Sequence, residues 1–172
     1  MAMLPERKRF LEIGCFEGRA TCWFLENALN DDGLIVCVDP FQGSMEHADM
    51  DLSDLYKRFQ GNVYEVLKPT QNLVTLTEPS YNVLAFLIHQ KQQFDFIYID
   101  GDHTAPAVLT DACMAWPLLK KGGIMLFDDY HWNPEGYTDQ QKPKIAVDAF
   151  SYVFKGQFEV VHDGYQIAVQ KI

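Results

Sequence analysis

The chain has 172 residues, enough for one domain, and its 48% hydrophobic and 13% aromatic content supplies a single buried core and excludes a disordered chain. Against 24 acidic residues stand only 14 basic ones, a formal charge of −10, so the Lys/Arg footprint that a nucleic acid requires is missing. A small neutral or cationic substrate suits that balance. No run approaches the roughly 18 apolar residues of a membrane span, and residues 1–9 lack the apolar stretch of a signal peptide. Cys15, Cys22, Cys37 and Cys113 form no CxxC pair and sit in apolar stretches, as core residues do in a reducing compartment. The expected location is cytoplasmic.

In chain order, residues 9–13 read as a buried first strand, and Ala20, Phe24 and Ala28 share one face of the helix that follows Gly18. After a turn at residues 30–33, LIVCV at 34–38 is the second strand, stopped by Asp39-Pro40. Residues 41–54 are acidic and poor in apolar side chains, which predicts a mobile loop fit to act as a lid before a helix over 55–67. Residues 73–77 are the third strand, and Leu84, Leu87 and Ile88 give the third helix its apolar spacing. FDFIYI at 94–99 is the most strand-like run in the chain. A fourth helix runs from 106 to about 119, closed by Lys120-Lys121-Gly122-Gly123, and 124–127 is the fifth strand. Ala146, Ala149, Phe150 and Val153 mark a fifth helix, and strands at 158–162 and 165–171 form a hairpin about Asp163-Gly164. Five βα units and a terminal hairpin describe one α/β domain over residues 1–172. Its sheet is a Rossmann-like, doubly wound one of seven strands, mainly parallel with an antiparallel last strand.

The segment Glu12-Ile13-Gly14-Cys15-Phe16-Glu17-Gly18 ends the first strand and opens the first helix, where such a fold places its ligand crevice. Gly14 permits the sharp turn and Gly18 lets the helix start close to the strand. A dinucleotide fingerprint would carry a second glycine to admit a pyrophosphate, and Phe16 stands there instead. The turn therefore suits a nucleoside ligand without a pyrophosphate, such as S-adenosylmethionine. Asp39 is placed for ribose hydroxyls, and Glu12 for the ligand's ammonium.

Asp100, Asp102 and His103 follow the fourth strand, while Asp128 and Asp129 follow the fifth, so all emerge at the carboxyl edge of the sheet. Four carboxylates there repel unless a cation or protons intervene, and oxygen ligands favour Mg²⁺, Ca²⁺ or Mn²⁺. Such a cation binds a substrate hydroxyl or diol and lowers its pKa, with His103 as the base and Asp102 as the alternative. Trp132 and Tyr137 are candidates for an apolar wall over the acceptor. His131 reads as an exposed loop residue, and His47, His89 and His162 belong to no constellation.

With these motifs in place, from EIGCFEG through CVDPF and FDFIYIDGDH to GGIMLFDDY and GYQIAVQK, the chain resembles the class I S-adenosylmethionine-dependent methyltransferases. Within them it is similar to the metal-dependent O-methyltransferases, in the branch of macrocin-type sugar enzymes, with catechol enzymes more distant. The resemblance implies a Mg-dependent methyl transfer to a hydroxyl of a sugar or other small polyol, with no nucleic acid or membrane partner. A homo-oligomer is compatible with it. It implies metal ligands at Asp100, Asp128 and Asp129, and a base at His103 or Asp102. It places Glu12, Gly14 and Phe16 at the methionine end of the cofactor with Cys15 and Gly18 in the same turn, Asp39 at the ribose, Ser80 at the adenine, and Asp100 at the cofactor's edge. Ala20 departs from the family's frequent serine, with Thr21 as the neighbouring hydroxyl, and Glu78 replaces a common glycine. The N-terminal helices that cover the cofactor in many relatives are not expected within residues 1–9, which leaves two explanations: a piece of a longer protein, or residues 41–54 as the cover. Two other readings stand beside this one: a non-catalytic S-adenosylmethionine-binding module, and a metal-dependent hydrolase built on the Asp/His cluster.

Overall fold

A computed structural model describes residues 7–44 and 47–172. Residues 1–6, which carry most of the reading of the N-terminal segment, and residues 45 and 46, in the expected lid, lie outside the described residues.

The elements alternate as expected: β1 (Arg9–Ile13), α1 (Arg19–Asn27), β2 (Leu34–Val38), α2 (Leu55–Val66), β3 (Asn72–Leu76), α3 (Ser80–His89), β4 (Phe94–Ile99), α4 (Ala105–Ala115), β5 (Leu119–Phe127), α5 (Lys144–Val153), β6 (Phe158–Asp163) and β7 (Ile167–Lys171). The sheet order is β3-β2-β1-β4-β5-β7-β6. β1 to β5 pair in parallel, and β7 runs antiparallel to both β5 and β6. The antiparallel last strand is thus slotted between its two neighbours.

Helices cover both faces, so central β4 is buried at all six positions and is apolar apart from Asp95 and the Tyr98 hydroxyl. One core cluster joins the sheet to α3, α4 and α5 through Leu84, Val108, Ala112 and Phe150. The other joins it to α1 and α2 through Phe24, Leu25, Phe59 and Val63. Phe24 meets Phe96 and Tyr98 of β4 edge-on, at ring separations of 5.3 and 5.4 Å.

Four local expectations change. Ile88 is 37% exposed, because Val83, Leu84 and Leu87 form the buried face of α3. Lys120 to Gly123 do not close α4, which ends at Ala115; after a 3-10 turn at Trp116–Leu118 they open β5, whose pairing with β4 is bulged there. The cause is Asp95, buried in β4, whose Oδ1 accepts from Lys120 Nζ at 2.5 Å. Cys15 and Cys37 are core residues, but Cys113 is exposed. The loop over 41–54 is tied down at its start: Phe41 is buried and packs on Phe59 at 5.1 Å. Among the described residues no helix is long and apolar enough to cross a membrane.

Asp95 Oδ2 also accepts the backbone N–H groups of Lys8 and Arg9, at 3.1 and 2.9 Å, and so secures the entry to β1. Asp95→Ala leaves those donors and the Lys120 ammonium without their acceptor. We expect a loss of roughly 2–4 kcal/mol in urea unfolding. Asp32→Ala, which removes the exposed Lys8–Asp32 pair, should leave the midpoint unmoved.

Candidate active site at the carboxyl edge of the sheet

A continuous cleft of about 1580 Å³ lies along the carboxyl ends of the strands and is lined by Glu12, Gly14, Cys15, Phe16, Asp39, Ser80, Asp100, Asp102, His103, Asp128 and Asp129. Of the expected site residues, Gly18, Thr21, Trp132 and Tyr137 fall outside this lining.

The turn after β1 takes Gly14, Phe16 and Gly18 through left-handed backbone, at φ 83°, 46° and 86°. A Cβ on residue 14 would stand 1.9 Å from the Asp100 carbonyl oxygen, so only glycine fits between the turn and the end of β4. At Gly18 a Cβ would meet Val63 and Phe59 of α2 at 2.9 and 3.0 Å. That glycine therefore serves the α1–α2 contact. α2 braces the turn further, with Arg58 Nε 2.7 Å from Glu17 Oε1.

Asp39 faces the turn as expected, yet its carboxylate already has backbone partners. Oδ2 accepts from the N–H groups of Cys15 and Phe16, both at 2.8 Å, and Oδ1 from that of Phe41 at 2.6 Å. Asp39 thus holds the turn in shape, and one lone pair, on Oδ1, remains for a ligand hydroxyl. The Phe16 ring stacks on His47 at 4.4 Å, a contact that sequence reasoning passed over.

Glu12 is 1% exposed. Its Oε2 accepts from Thr21 Oγ1 at 2.6 Å and from Cys37 Sγ at 3.6 Å, while Oε1 has no hydrogen-bond partner among the described residues. Thr21 is committed to Glu12 and does not stand in for the serine absent at position 20. Burial pushes the Glu12 carboxyl up to about 8, helped by the negative charge of Asp100 and opposed by the Thr21 hydrogen bond. An orphaned, buried carboxylate oxygen is a strong demand for a donor, best met by a cation.

Across the cleft, His103 Nε2 lies 3.2 Å from Asp129 Oδ2 and 3.5 Å from Asp100 Oδ1. Ligand atoms of Asp100, His103 and Asp129 all fall within 4.8 Å of one another. Burial raises the Asp100 carboxyl to about 6; Asp128 and Asp129 add to the rise and His103 counters it. Asp128, the third metal ligand expected from the sequence, falls outside this group. Its Oδ2 accepts a short hydrogen bond from Tyr98 Oη, and its Oδ1 accepts from Gln166 Nε2 at 2.8 Å. Burial, with Asp100 and Asp128 nearby, pushes the Tyr98 phenol far above its ordinary value, so it remains a donor. Asp102 is exposed and accepts the N–H of Thr104 at 2.9 Å, at the start of α4.

The ring of Trp132 lies 5.1 Å from that of His103, and the ring of Tyr137 5.1 Å from that of Trp132, so the two aromatics pack beside the cluster. Ser80 is hydrogen-bonded to Asp111, a 4% exposed acid whose carboxyl burial raises to about 6. Tyr98, Gln166, His47 and Asp111 were not singled out from the sequence. The one available signal was Tyr98, a hydroxyl in a mostly apolar central strand, since a buried tyrosine hydroxyl needs a partner.

Comparison with known proteins gives this geometry a family. A model of the family described as a methyltransferase domain matches residues 11–130. The chain is 24% identical over 157 residues to the uncharacterized protein R132 of Acanthamoeba polyphaga mimivirus, covering 88% of this chain and 66% of that protein. It is 26% identical over 128 residues to the O-methyltransferase hkm8 of Aspergillus hancockii, covering 74% and 45%. The chain thus spans less than two thirds of the length of either curated relative. Among solved structures, the O-methyltransferase TomG from Streptomyces achromogenes, in complex with S-adenosylmethionine, superposes with a TM-score of 0.67 at 18% identity, over 99% of this chain and 76% of TomG. The O-methyltransferase from Bacillus cereus, in complex with S-adenosylhomocysteine, gives 0.63 at 19%, over 95% and 74%. A putative rRNA methylase from Clostridium thermocellum gives 0.71 at 14%, over 99% and 90%. At such identities the structural likeness is one of fold, the class I methyltransferase fold expected from the sequence. The family match runs from β1 past β5 and takes in the turn, Asp39, Ser80, Asp100, His103, Asp128 and Asp129: the chain belongs to the methyltransferase-domain family.

Proposed function

We propose that this domain is an S-adenosylmethionine-dependent O-methyltransferase that methylates a hydroxyl of a sugar or other small polyol with the help of a divalent cation, Mg²⁺ by donor chemistry. The observation that carries this reading is one cleft holding both an orphaned buried carboxylate oxygen on Glu12 and an Asp/His cluster opposite it. The residues fit the cofactor: Glu12 Oε1 lacks the donor an ammonium supplies, Asp39 retains acceptor capacity for ribose, and Phe16 blocks a pyrophosphate. The metal reading is supported by Asp100 and Asp129, whose oxygens gather with His103 within 4.8 Å, and by Asp128 beside Asp129 past the end of β5 as a further oxygen donor.

When bound, the cofactor supplies an electrophilic methyl group and the cation acidifies the acceptor hydroxyl. The chain's own residues do the rest. Glu12 holds the ammonium and Asp39 the ribose, with Ser80 at the base. His103 accepts the hydroxyl proton, and Asp129 and Asp100 stabilise the imidazolium so formed. Its position between two acids favours it as base over exposed Asp102, which is engaged with the start of α4. Trp132 and Tyr137 limit water beside His103 and offer aromatic faces to a polyol. The whole protein's acceptor is set by the loops around residues 41–54 and 132–143.

Three outcomes are expected. In a methyl-transfer assay over a polyol and catechol panel, EDTA abolishes turnover and Mg²⁺ or Mn²⁺ restores it; equal activity in EDTA would sink the metal role. His103→Ala lowers kcat by roughly 10²- to 10⁴-fold while calorimetric S-adenosylhomocysteine affinity holds. Glu12→Gln moves stability and binding in opposite directions. With a folded-state pKa of about 8 against 4.5, the ligand-free fold keeps a proton that the unfolded chain loses, so its stability declines as pH rises from 4.5 to about 8. The amide escapes that decline. Glu12→Gln should therefore melt higher than wild type by a margin that widens over this window, on the order of 3 kcal/mol at pH 7. It should bind S-adenosylmethionine at least about tenfold more weakly, having lost the ammonium's counter-charge.

A further inference from the structure

We propose that Tyr98 and Gln166 are positioning residues that clamp the Asp128 carboxylate, so that it presents a fixed oxygen to the divalent cation. The inference rests on the metal reading above. Three donors meet at this one side chain. Oδ2 accepts from the Tyr98 hydroxyl, and Oδ1 accepts both from Gln166 Nε2 and from the backbone N–H of Asp129, each at 2.8 Å. They arrive from different directions: Tyr98 from the middle of the sheet, Gln166 from the connection before β7, and Asp129 from the next residue along.

A carboxylate offers about four lone-pair directions, two on each oxygen. Oδ1 has both of its own occupied, and Oδ2 has one, so the remaining acceptor site is on Oδ2, the oxygen that Tyr98 orients. All three donors are neutral. They fix the group without cancelling its charge, whereas a lysine or arginine in their place would compete with the cation. The neighbouring acid is held differently: Asp129 has left-handed backbone, at φ 53°, and its Oδ2 faces His103. One of the paired acids is therefore locked by neutral groups while the other is coupled to the base.

Packing does not account for the hydroxyl. Tyr98 shares its face of β4 with Phe96, and its ring meets Phe24 as Phe96 does, so a phenylalanine would fill the same space. The oxygen goes to Asp128, with Asp100 alongside. Gln166 likewise lines the cleft, and its amide crosses to a residue 38 positions away in sequence.

Titration of Mn²⁺ into the full chain by calorimetry tests the clamp, comparing wild type with Tyr98→Phe and Gln166→Met. Each variant should bind Mn²⁺ roughly 10- to 100-fold more weakly. Metal-free S-adenosylhomocysteine affinity should stay within about twofold and the melting temperature within a few degrees, as expected where only hydrogen-bond partners of a ligand are lost. Methyl transfer should fall at limiting metal and recover at saturating metal, a rescue that a general packing defect does not show. Unchanged Mn²⁺ affinity in Tyr98→Phe overturns the clamp and leaves the metal reading standing. A parallel loss of S-adenosylhomocysteine affinity and melting temperature also overturns it, in favour of a structural role. A wild-type chain that binds no Mn²⁺ overturns both.

Discussion

The last rung of the parallel hydrogen-bond ladder places almost everything in the cleft. Each residue just beyond a strand donates its backbone N–H to the final carbonyl of the neighbouring strand: Asp39 to Leu76, Gly14 to Val38, Asp100 to Ile13 and Asp128 to Ile99, at 2.8 to 3.2 Å. Four positions that are far apart in sequence are thereby fixed along one edge of the sheet. Three of them carry a carboxylate, and the fourth has no side chain because the Asp100 carbonyl occupies the place its Cβ would take. The turn that suits a nucleoside ligand and the acids that suit a cation are thus joined backbone to backbone. Neither can shift without the other.

The same strand handles buried charge in two ways at its two ends. At the start of β4, Asp95 is 4% exposed and has two backbone donors and a lysine, so its burial helps hold the fold together. Just beyond the other end, Asp100 sits among like charges and is raised to about 6, and across the adjacent strand Glu12 is raised to about 8 with one oxygen unpartnered. Among the described residues, the one buried side-chain oxygen left without a hydrogen-bond partner lies at the carboxyl edge. A ligand that brings positive charge to that edge relieves a tension the empty fold sustains, which is how binding sites commonly exchange stability for affinity.

Left-handed backbone gathers near the site without being confined to it. Of the four non-glycine residues with positive φ among the described residues, Phe16, Phe41 and Asp129 lie just past β1, β2 and β5, while Lys91 lies ahead of β4. Phe16 is held there by the Asp39 carboxylate and by the stacked His47, while Asp129 is fixed by its own N–H on Asp128 and by the approach of His103. In both cases a neighbouring acid compensates the strained conformation through hydrogen bonds to backbone.

What the sequence by itself determined is the alternation of elements and the sheet edge on which chemistry gathers. Apolar runs of strand length, helical spacing and the placement of Gly14, Asp39, Asp100, Asp128 and Asp129 just past strands are all local patterns, and local patterns survive in one dimension. The bounds of the elements were less legible where a distant partner decided them. Lys120 reads as a helix-capping cation until the buried Asp95 carboxylate, 25 residues away, draws it into β5. Tertiary structure alone decided which oxygens are satisfied. That Glu12 keeps one orphan, that Thr21 is spent on the other, and that Tyr98 and Gln166 close on Asp128 all depend on side chains from separate elements meeting within about 3 Å, the reach of a hydrogen bond. Composition and periodicity do not carry that information, because a hydrogen bond is set by direction and distance in space and not by spacing along the chain.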